Sequence, residues 1–221
     1  MIAIVDYDAG NLKSVEKALR FLGAETCVTR DFREICSADA LILPGVGAFG
    51  VAMDRLKALE LDKAIRAFVQ EEKKPFLGIC LGLQLLFSGS EESEGVEGLS
   101  LLPGEIVRIP EGEGRKIPHI GWNSLTFPRE GRLFRGLPTD PYVYFVHSYY
   151  LKAQDRQIVT AQTTYGPDLD VSVEKENLFA CQFHPEKSGR IGLAILRNYL
   201  NMVEERTVDH AHKEDHSLSG Y

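Results

Sequence analysis

The chain has 221 residues and a formal net charge of −7, from 25 basic and 32 acidic side chains, and this acidic balance argues against nucleic acid as the main partner. Hydrophobic residues make up 44% of the chain and charged residues 26%, which is ordinary for a folded domain and excludes collagen-like, coiled-coil and disordered chains. No apolar run approaches the roughly 20 residues of a membrane span, and the N-terminus lacks the basic start of a secretory signal, so we expect a cytoplasmic protein.

The four cysteines lack the Cys-x-x-Cys spacing of metal and redox motifs, and a chain of this length can bury an adequate core without disulfides. We therefore expect free thiols in a reducing compartment. No group of side chains has the spacing of a metal site, so we expect no metal and no cofactor. The cysteines are Cys27, Cys36, Cys80 and Cys181.

The first half of the chain alternates short apolar runs with amphipathic stretches. This rhythm predicts a parallel sheet with helices on both faces. In chain order, the predicted elements are a strand at 2–5, a helix at 12–22, strands at 24–29 and 40–43, two helices within 51–69 broken near 60–62, a strand at 76–79 and a helix at 81–87.

The second half contains shorter runs separated by turn signals, which favours antiparallel strands added to the parallel core. Strands are predicted at 105–109, 116–120, 142–151, 158–164, 170–173 and 178–183, followed by a helix at 191–203. Because no linker or repeat interrupts the chain, we expect one α/β domain over 1–203, with a mixed, mostly parallel central sheet. Residues 204–221 are polar and without periodicity, and we expect a disordered tail there.

The first candidate for chemistry is the sequence Gly78-Ile79-Cys80-Leu81-Gly82, at the junction of a predicted strand and helix. Small residues on both sides of a sharp turn allow a nucleophile to stand out from the end of a strand. The start of a helix favours the thiolate, which is the reactive form of cysteine. The alternative is a buried structural cysteine between two packing glycines.

The second candidate is Phe183-His184-Pro185-Glu186, at the end of another predicted strand. Parallel sheets present their functional groups at such strand ends. His184 and Glu186 are two residues apart, so in extended chain both point to the same side, and Glu186 could orient the imidazole while it takes a proton from the cysteine. Alone, this segment could be a surface turn; together with the Cys80 turn it predicts one active site.

The third candidate is the glycine-rich loop at 43–49, which follows a predicted strand. Glycines allow backbone N–H groups to approach a ligand closely. By itself the loop could be a tight turn before a helix. It lacks the Gly-Lys-Ser/Thr sequence of a P-loop, and the chain carries no dinucleotide-binding fingerprint.

Five motifs, PGVGAFG, GICLGLQLLF, KIPHIGWN, YFVHSYY and CQFHPEKSG, together resemble the class I (triad) glutamine amidotransferases. The resemblance extends from Met1 to about Val203. GICLG and FHPE are typical of the whole family, whereas PGVG, PHIGWN and HPEKS are similar to one branch, the glutaminase subunits of imidazole glycerol phosphate synthases. The resemblance implies a single-domain amidotransferase fold and hydrolysis of L-glutamine.

The resemblance also implies a role for individual residues. Cys80 would be the nucleophile, His184 its base and then the acid for departing ammonia, and Glu186 the residue that orients His184. Backbone N–H groups of Leu81 and of Val46 or Gly47 would hold the oxyanion. Residues expected to contact glutamine are Gln84, Glu92, and the backbone around Ser148 and Tyr149.

Members of this branch pass ammonia to a (βα)8-barrel cyclase subunit, which forms imidazole glycerol phosphate and aminoimidazole carboxamide ribotide in histidine biosynthesis. The resemblance therefore implies a heterodimer with this cyclase. Residues matching the docking face are Asn11, Trp122, Tyr144 and Lys187. Two alternatives remain open from the sequence: the glutaminase of another ammonia-channelling synthase, and a non-catalytic activator of the cyclase.

Overall fold

The fold is given by a computed structural model, which describes the backbone of residues 1–218 and the side chains of residues 1–208. Its strands are β1 (Ile2–Val5), β2 (Thr26–Thr29), β3 (Ala40–Gly45), β4 (Phe76–Cys80), β5 (Gly104–Arg108), β6 (His119–Ser124), β7 (Tyr142–His147), β8 (Tyr149–Ala153), β9 (Val159–Thr164), β10 (Asp168–Lys175) and β11 (Leu178–Cys181). Its helices are α1 (Leu12–Phe21), α2 (Phe32–Ser37), α3 (Phe49–Ala58), α4 (Leu61–Arg66), α5 (Leu81–Gln84) and α6 (Gly189–Leu218).

The central sheet combines a parallel half with an antiparallel half. The short apolar runs form the parallel half, in the order β2–β1–β3–β4–β11, and the sheet continues through antiparallel β10, β8 and β5. Strand β9 pairs with β10, and β6 pairs with β7 in a separate two-stranded ribbon. This arrangement confirms the expected α/β class with added antiparallel strands.

Strands β1, β3, β4 and β11 are buried on both faces, which explains their continuous apolar runs, whereas the edge strand β2 is partly exposed. Along β1, Ala3 and Val5 join one core cluster and Ile2 and Ile4 join another, because successive side chains point to opposite faces. Side chains of α2 to α5 pack in the first cluster, and those of α1 and α6 pack in the second.

The strand register brings three loops to one edge of the sheet. Gly45 at the end of β3 pairs with Cys80 at the end of β4, and Cys181 at the end of β11 pairs with Ile79. The segments that follow these three strands therefore meet at the carboxyl edge, where open α/β sheets bind ligands.

The structure differs from the predicted elements at several places. Helix α2 was not predicted, because it buries a single side chain, Ile35, and shows no apolar periodicity; the Asp31 side chain caps its start. Helix α5 is only four residues long, and the run at 142–151 is divided at Ser148 into strands of different sheets. The break predicted within 51–69 is confirmed, since α3 and α4 are separate helices.

The last helix continues beyond its predicted end at Val203, to Leu218. No glycine or proline occurs between Val203 and Gly220, and the Arg206 side chain donates to the Glu72 carbonyl over 2.9 Å. Residues 219–221 of the expected tail lie outside the described residues, and the division into a domain and a tail stays a prediction. In the described part of the chain, no helix is both long and apolar enough to span a membrane.

Candidate active site

Cys80 lies in a sharp turn between β4 and α5. Its backbone φ and ψ are +56° and −109°, a conformation that costs free energy for any residue with a side chain. A Cβ added to Gly78 would lie 2.7 Å from the Gly82 carbonyl oxygen. A Cβ added to Gly82 would lie 1.8 Å from the Leu43 carbonyl oxygen. A larger residue than glycine would therefore clash with the backbone at both positions. Small residues on both sides of a strained turn are the arrangement of a nucleophile elbow.

His184 and Glu186 follow β11 and form a buried pair. The imidazole Nδ1 lies 2.8 Å from the Glu186 Oε1, and both side chains are almost completely buried. Burial opposes a charge on His184, but a thiolate at Cys80 and the Glu186 carboxylate outweigh it and raise the pKa of His184 to about 9. The imidazolium form of His184 is therefore favoured near neutral pH.

Because Nδ1 contacts Glu186, the second ring nitrogen of His184, Nε2, is available to Cys80. It is buried and has no partner at ordinary hydrogen-bonding geometry among the described residues, although it lies near enough for a thiolate to raise the imidazole pKa. Glu186 uses one carboxylate oxygen on the imidazole. The Cys80–His184–Glu186 series therefore has the order of a triad, with the imidazole between a nucleophile and an orienting carboxylate.

A cavity of about 300 Å³ opens beside Cys80 and His184. It collects the residues that the sequence predicted for the oxyanion and for the substrate, although they come from four separate segments. Its walls include Val46, Gly47, Leu81, Gln84, Glu92, Ser148 and Tyr149. Its size suits a single amino-acid ligand.

Gln84 and Glu92 are held in place by backbone contacts. The Gln84 Nε2 donates to the Tyr149 carbonyl at 3.2 Å and to the Gln182 Oε1 at 3.1 Å, so its own Oε1 is the group that a ligand can use. The Glu92 carboxylate accepts from the Phe49 N–H, the first of α3, at 2.8 Å. Both side chains thus have fixed positions in the cavity wall.

Sequence reasoning missed two buried residues beside the cysteine. Gln182, fully buried on the chain between β11 and His184, donates through Nε2 to the Cys80 Sγ at 3.7 Å. Tyr7 is also fully buried; burial, and then Cys80, raise the pKa of its hydroxyl. A Cβ on Gly45 would lie 2.2 Å from the Tyr7 Oη. Gln182 is adjacent to the Phe183–Glu186 motif, but nothing in the sequence indicates its contact with Cys80, and Tyr7 carries no signal at all.

The residues expected at a docking face lie around the same edge of the sheet. Trp122 and Tyr144 pair across β6 and β7 with their ring centroids 6.1 Å apart, and Trp122 is 55% exposed. Lys187 is exposed one residue after Glu186, and Asn11 is exposed at the start of α1. Tyr144 also contacts the active-site segment, because its carbonyl accepts from the His184 N–H at 3.0 Å.

A metal site is not among the features of this region. Within residues whose side chains the structure describes, no group of three or more His, Cys, Asp or Glu side chains is placed to hold a metal ion.

The sequence matches the family model of glutamine amidotransferase class-I over residues 3–202. A relative from Moorella thermoacetica, named imidazole glycerol phosphate synthase subunit HisH, is 54% identical over 202 residues, which cover 91% of this chain and 95% of the relative. HisH subunits from Methanothermobacter thermautotrophicus and Aquifex aeolicus are 49% and 48% identical, over 92% of this chain and 99% and 98% of the relatives.

Solved structures show the same fold at lower identity. A glutamine amidotransferase superposes with a TM-score of 0.73 at 21% identity, over 92% of this chain and 100% of the other. A GMP synthase component from Thermoplasma acidophilum superposes with a TM-score of 0.71 at 20% identity, over 95% of this chain and 96% of the other.

Proposed function

Because the chain belongs to the class I glutamine amidotransferase family, we propose that it is the glutaminase subunit of an imidazole glycerol phosphate synthase and hydrolyses L-glutamine to glutamate and ammonia in the cytoplasm. The observation that carries the proposal is the strained Cys80 turn beside the buried His184–Glu186 pair. The HisH relatives, at about half identity over nearly the whole chain, favour this synthase over the other ammonia-channelling synthases.

The reaction proceeds through a thioester. The Cys80 Sγ attacks the side-chain amide carbon of glutamine, and the imidazolium of His184 gives its proton to the departing ammonia as the C–N bond breaks. His184 then takes a proton from water, whose oxygen attacks the thioester carbon and releases glutamate and the thiol. Glu186 holds the imidazole in the orientation both steps need.

Backbone N–H groups stabilise the tetrahedral intermediates. Leu81 is the first residue of α5, so its N–H has no acceptor within the helix and is available to an oxyanion. Val46 or Gly47 supplies the second donor from the loop after β3, which lines the same cavity. Two such donors in a small, partly buried site act mainly on the transition state.

Glutamine occupies the cavity with its side-chain amide at Cys80. Its ammonium group fits the carboxylate of Glu92 and the Oε1 of Gln84, which are the acceptors in the wall. The backbone at Ser148 and Tyr149, where β7 ends and β8 begins, lies along the other side. This assignment gives the ammonium group of glutamine two acceptors in the cavity wall.

The ammonia passes to a (βα)8-barrel cyclase subunit, with which the chain forms a heterodimer. The docking face consists of Asn11, Trp122, Tyr144 and Lys187. Aromatic side chains are enriched in interfaces, and a Trp that is more than half exposed is a suitable anchor. Because the carbonyl of Tyr144 accepts from the N–H of His184, binding at this face acts on the catalytic histidine directly.

Labelling with a glutamine-like electrophile tests the assignment of the nucleophile. Mass spectrometry should find the label on Cys80 and little on Cys27, Cys36 or Cys181, because only Cys80 lines the cavity and has an imidazole beside it. The same experiment on His184→Ala should give slow labelling. A non-catalytic activator predicts no selective labelling and no hydrolysis in the complex, and that result would overturn the proposal.

A further inference from the structure

Two histidines that the reaction scheme does not use lie buried beside the cavity. His119 on β6 and His147 on β7 are cross-strand partners, and they are 3% and 5% exposed. The His119 Nδ1 lies 3.1 Å from the His147 Nε2. His147 also lines the cavity, next to Ser148 and Tyr149.

The contact at Tyr149 fixes where the protons of this pair lie. The His147 Nδ1 is 2.8 Å from the Tyr149 carbonyl oxygen. A carbonyl only accepts, so the His147 Nδ1 carries the hydrogen and its Nε2 holds a lone pair. That lone pair faces the His119 Nδ1, which must therefore carry a hydrogen as well.

The opposite end of the pair leads to the same assignment independently. The Ser124 N–H donates to the Asn123 Oδ1 at 2.9 Å, which fixes the orientation of that amide. The Asn123 Nδ2 donates to the Thr164 carbonyl at 3.0 Å and lies 3.4 Å from the His119 Nε2. The amide nitrogen can only donate, so the His119 Nε2 is an acceptor and the His119 Nδ1 is the protonated nitrogen.

The surroundings keep both rings neutral. His119 is stacked between Tyr165 and Phe145, with centroid distances of 4.0 Å and 4.8 Å. Burial lowers the pKa of His119 to about 4 and, with smaller effects of neighbouring groups, that of His147 to about 3. At neutral pH each ring therefore carries a single hydrogen, which the contacts to Tyr149 and Asn123 assign to Nδ1.

We propose that His147, held by His119, is a positioning residue for glutamine: the two neutral, Nδ1-protonated rings fix the Tyr149 carbonyl and the bend at Ser148 against the cavity. The Tyr149 carbonyl accepts from both His147 and Gln84, and Gln84 continues through Gln182 to the Cys80 Sγ. The pair thus fixes the wall opposite the nucleophile. This inference rests on the proposed function.

Nuclear magnetic resonance of the full chain, with isotope-labelled histidine, tests the proton positions without any assay of activity. At neutral pH, His119 and His147 should each show a protonated Nδ1 and an unprotonated Nε2, which is the minor tautomer of a free imidazole. Resonances of the other tautomer, or of an imidazolium, at either residue would overturn the inference.

Steady-state kinetics of the cyclase complex test the positioning. His147→Leu should raise KM for glutamine about two- to tenfold, the range supplied by one ordinary hydrogen bond, with a smaller change in kcat. His147→Asn should restore much of the lost affinity, since its amide nitrogen can replace Nδ1 as the donor, and it serves as the folded variant if His147→Leu does not fold.

Thr160→Val is the matched control. It removes a buried hydrogen bond to Ser172 within β9 and β10, outside the cavity wall, and should leave KM unchanged. Unchanged KM in folded His147→Leu, or equal effects of the Leu and Asn variants, would overturn the inference alone. Absence of glutamine turnover in the unmodified complex would instead overturn the proposed function, and this inference with it.

Discussion

Cys80 combines a reactive side chain with a backbone conformation that costs about 1–3 kcal/mol. Such strain is typical of functional sites, where the backbone orients a nucleophile. Substitutions of Cys80 should therefore affect one nitrogen source and not the other. Cys80→Ala and Cys80→Ser should abolish glutamine-dependent synthesis, whereas synthesis from added ammonium salts should persist, because the cyclase chemistry lies on the partner. Assays of the purified complex with each nitrogen source measure both. Glutamine hydrolysis that survives in Cys80→Ala would contradict the nucleophile assignment.

His184 and Glu186 should differ in the size of their effects. His184→Ala removes the acid and base of both steps, a contribution of roughly 10²–10⁴-fold. Glu186→Gln keeps the imidazole and loses only the carboxylate that orients it at 2.8 Å. We therefore expect the larger loss of kcat in His184→Ala, measured as glutamate release by the complex. A more damaging Glu186→Gln would require the two roles to be exchanged.

The raised pKa of His184 sets a limit on activity at alkaline pH. The imidazolium is the form that protonates the leaving ammonia, so kcat/KM should fall as the pH rises through about 9. Any stability that the imidazolium contributes is present below its ordinary pKa of 6.5 and is lost over the same rise. Glu186→Gln removes one cause of the pKa shift, so the alkaline limb of the pH profile, where kcat/KM falls, should move to lower pH. An alkaline limb that does not move in the variant would argue against coupling between the two side chains.

Cys80, His184 and Glu186 could be proposed as catalytic residues from the sequence, because their motifs combine a reactive side chain with residues that only a special backbone conformation requires. Gln182 and the His119–His147 pair were missed for a different reason. Their importance lies in contacts between strands distant in sequence, and neither an isolated Gln nor an isolated His indicates its partner. Local sequence patterns therefore point to the proposed reacting groups, but not to the polar network behind them.

At the scale of elements, apolar patterning predicted β1, β3, β4 and β11 well, because strands that are buried on both faces are continuous apolar runs. It failed for α2, which has one buried side chain, and for the run at 142–151, where both strands are apolar enough to look continuous. Their division at Ser148 follows from pairing with different partners, β6 for one and β5 and β10 for the other. Pairing of this kind is a property of the assembled sheet.

The turn between β4 and α5 predicts a sharp difference between two glycines. Gly82→Ala would place a Cβ 1.8 Å from the Leu43 carbonyl oxygen, a backbone atom that cannot move without shifting β3. We expect a loss of about 1–3 kcal/mol in the free energy of unfolding, the usual cost of overpacking. Gly89→Ala is the control, because its Cβ would have no neighbour closer than 3.7 Å. Denaturant titration of both variants measures the difference, and equal stabilities would contradict the packing argument.

For the whole molecule, the relevant feature is that two proposed regions share the carboxyl edge of the sheet: the glycine-rich loop at 43–49, proposed to hold the oxyanion, and the proposed docking face. The loop is tightly packed at Gly45 and open to solvent space at Gly47. Gly45 is packed between Tyr7 and Leu81, whereas a Cβ on Gly47 would meet no atom within 4 Å, and Gly47 has a φ of +103°. A peptide in this loop can therefore rotate near Val46 without displacing the core. The exposed Trp122 and Lys187 give the partner access to the same region.

This arrangement predicts that the partner with its nucleotide ligand raises kcat for glutamine hydrolysis and has less effect on KM. The isolated chain should be slow because one oxyanion donor points away at rest, and losing one donor costs about 10²–10³ in kcat. Docking then needs contacts that differ between the two loop states. Steady-state kinetics of the chain with and without the cyclase subunit provide the measurement. A strong effect on KM alone, or a free chain as fast as the complex, would contradict the switch.

Gly47→Ala tests which loop state the described conformation represents. Alanine at a φ of +103° is strained, and the surrounding space is open, so the substitution disfavours this backbone state without creating a clash. If the described state is the resting one, the variant should hydrolyse glutamine faster than the unmodified chain in isolation, and the partner should activate it by a smaller factor. A variant that is slow alone and also slow in the complex would mean that the positive φ belongs to the active loop, and that the partner acts elsewhere.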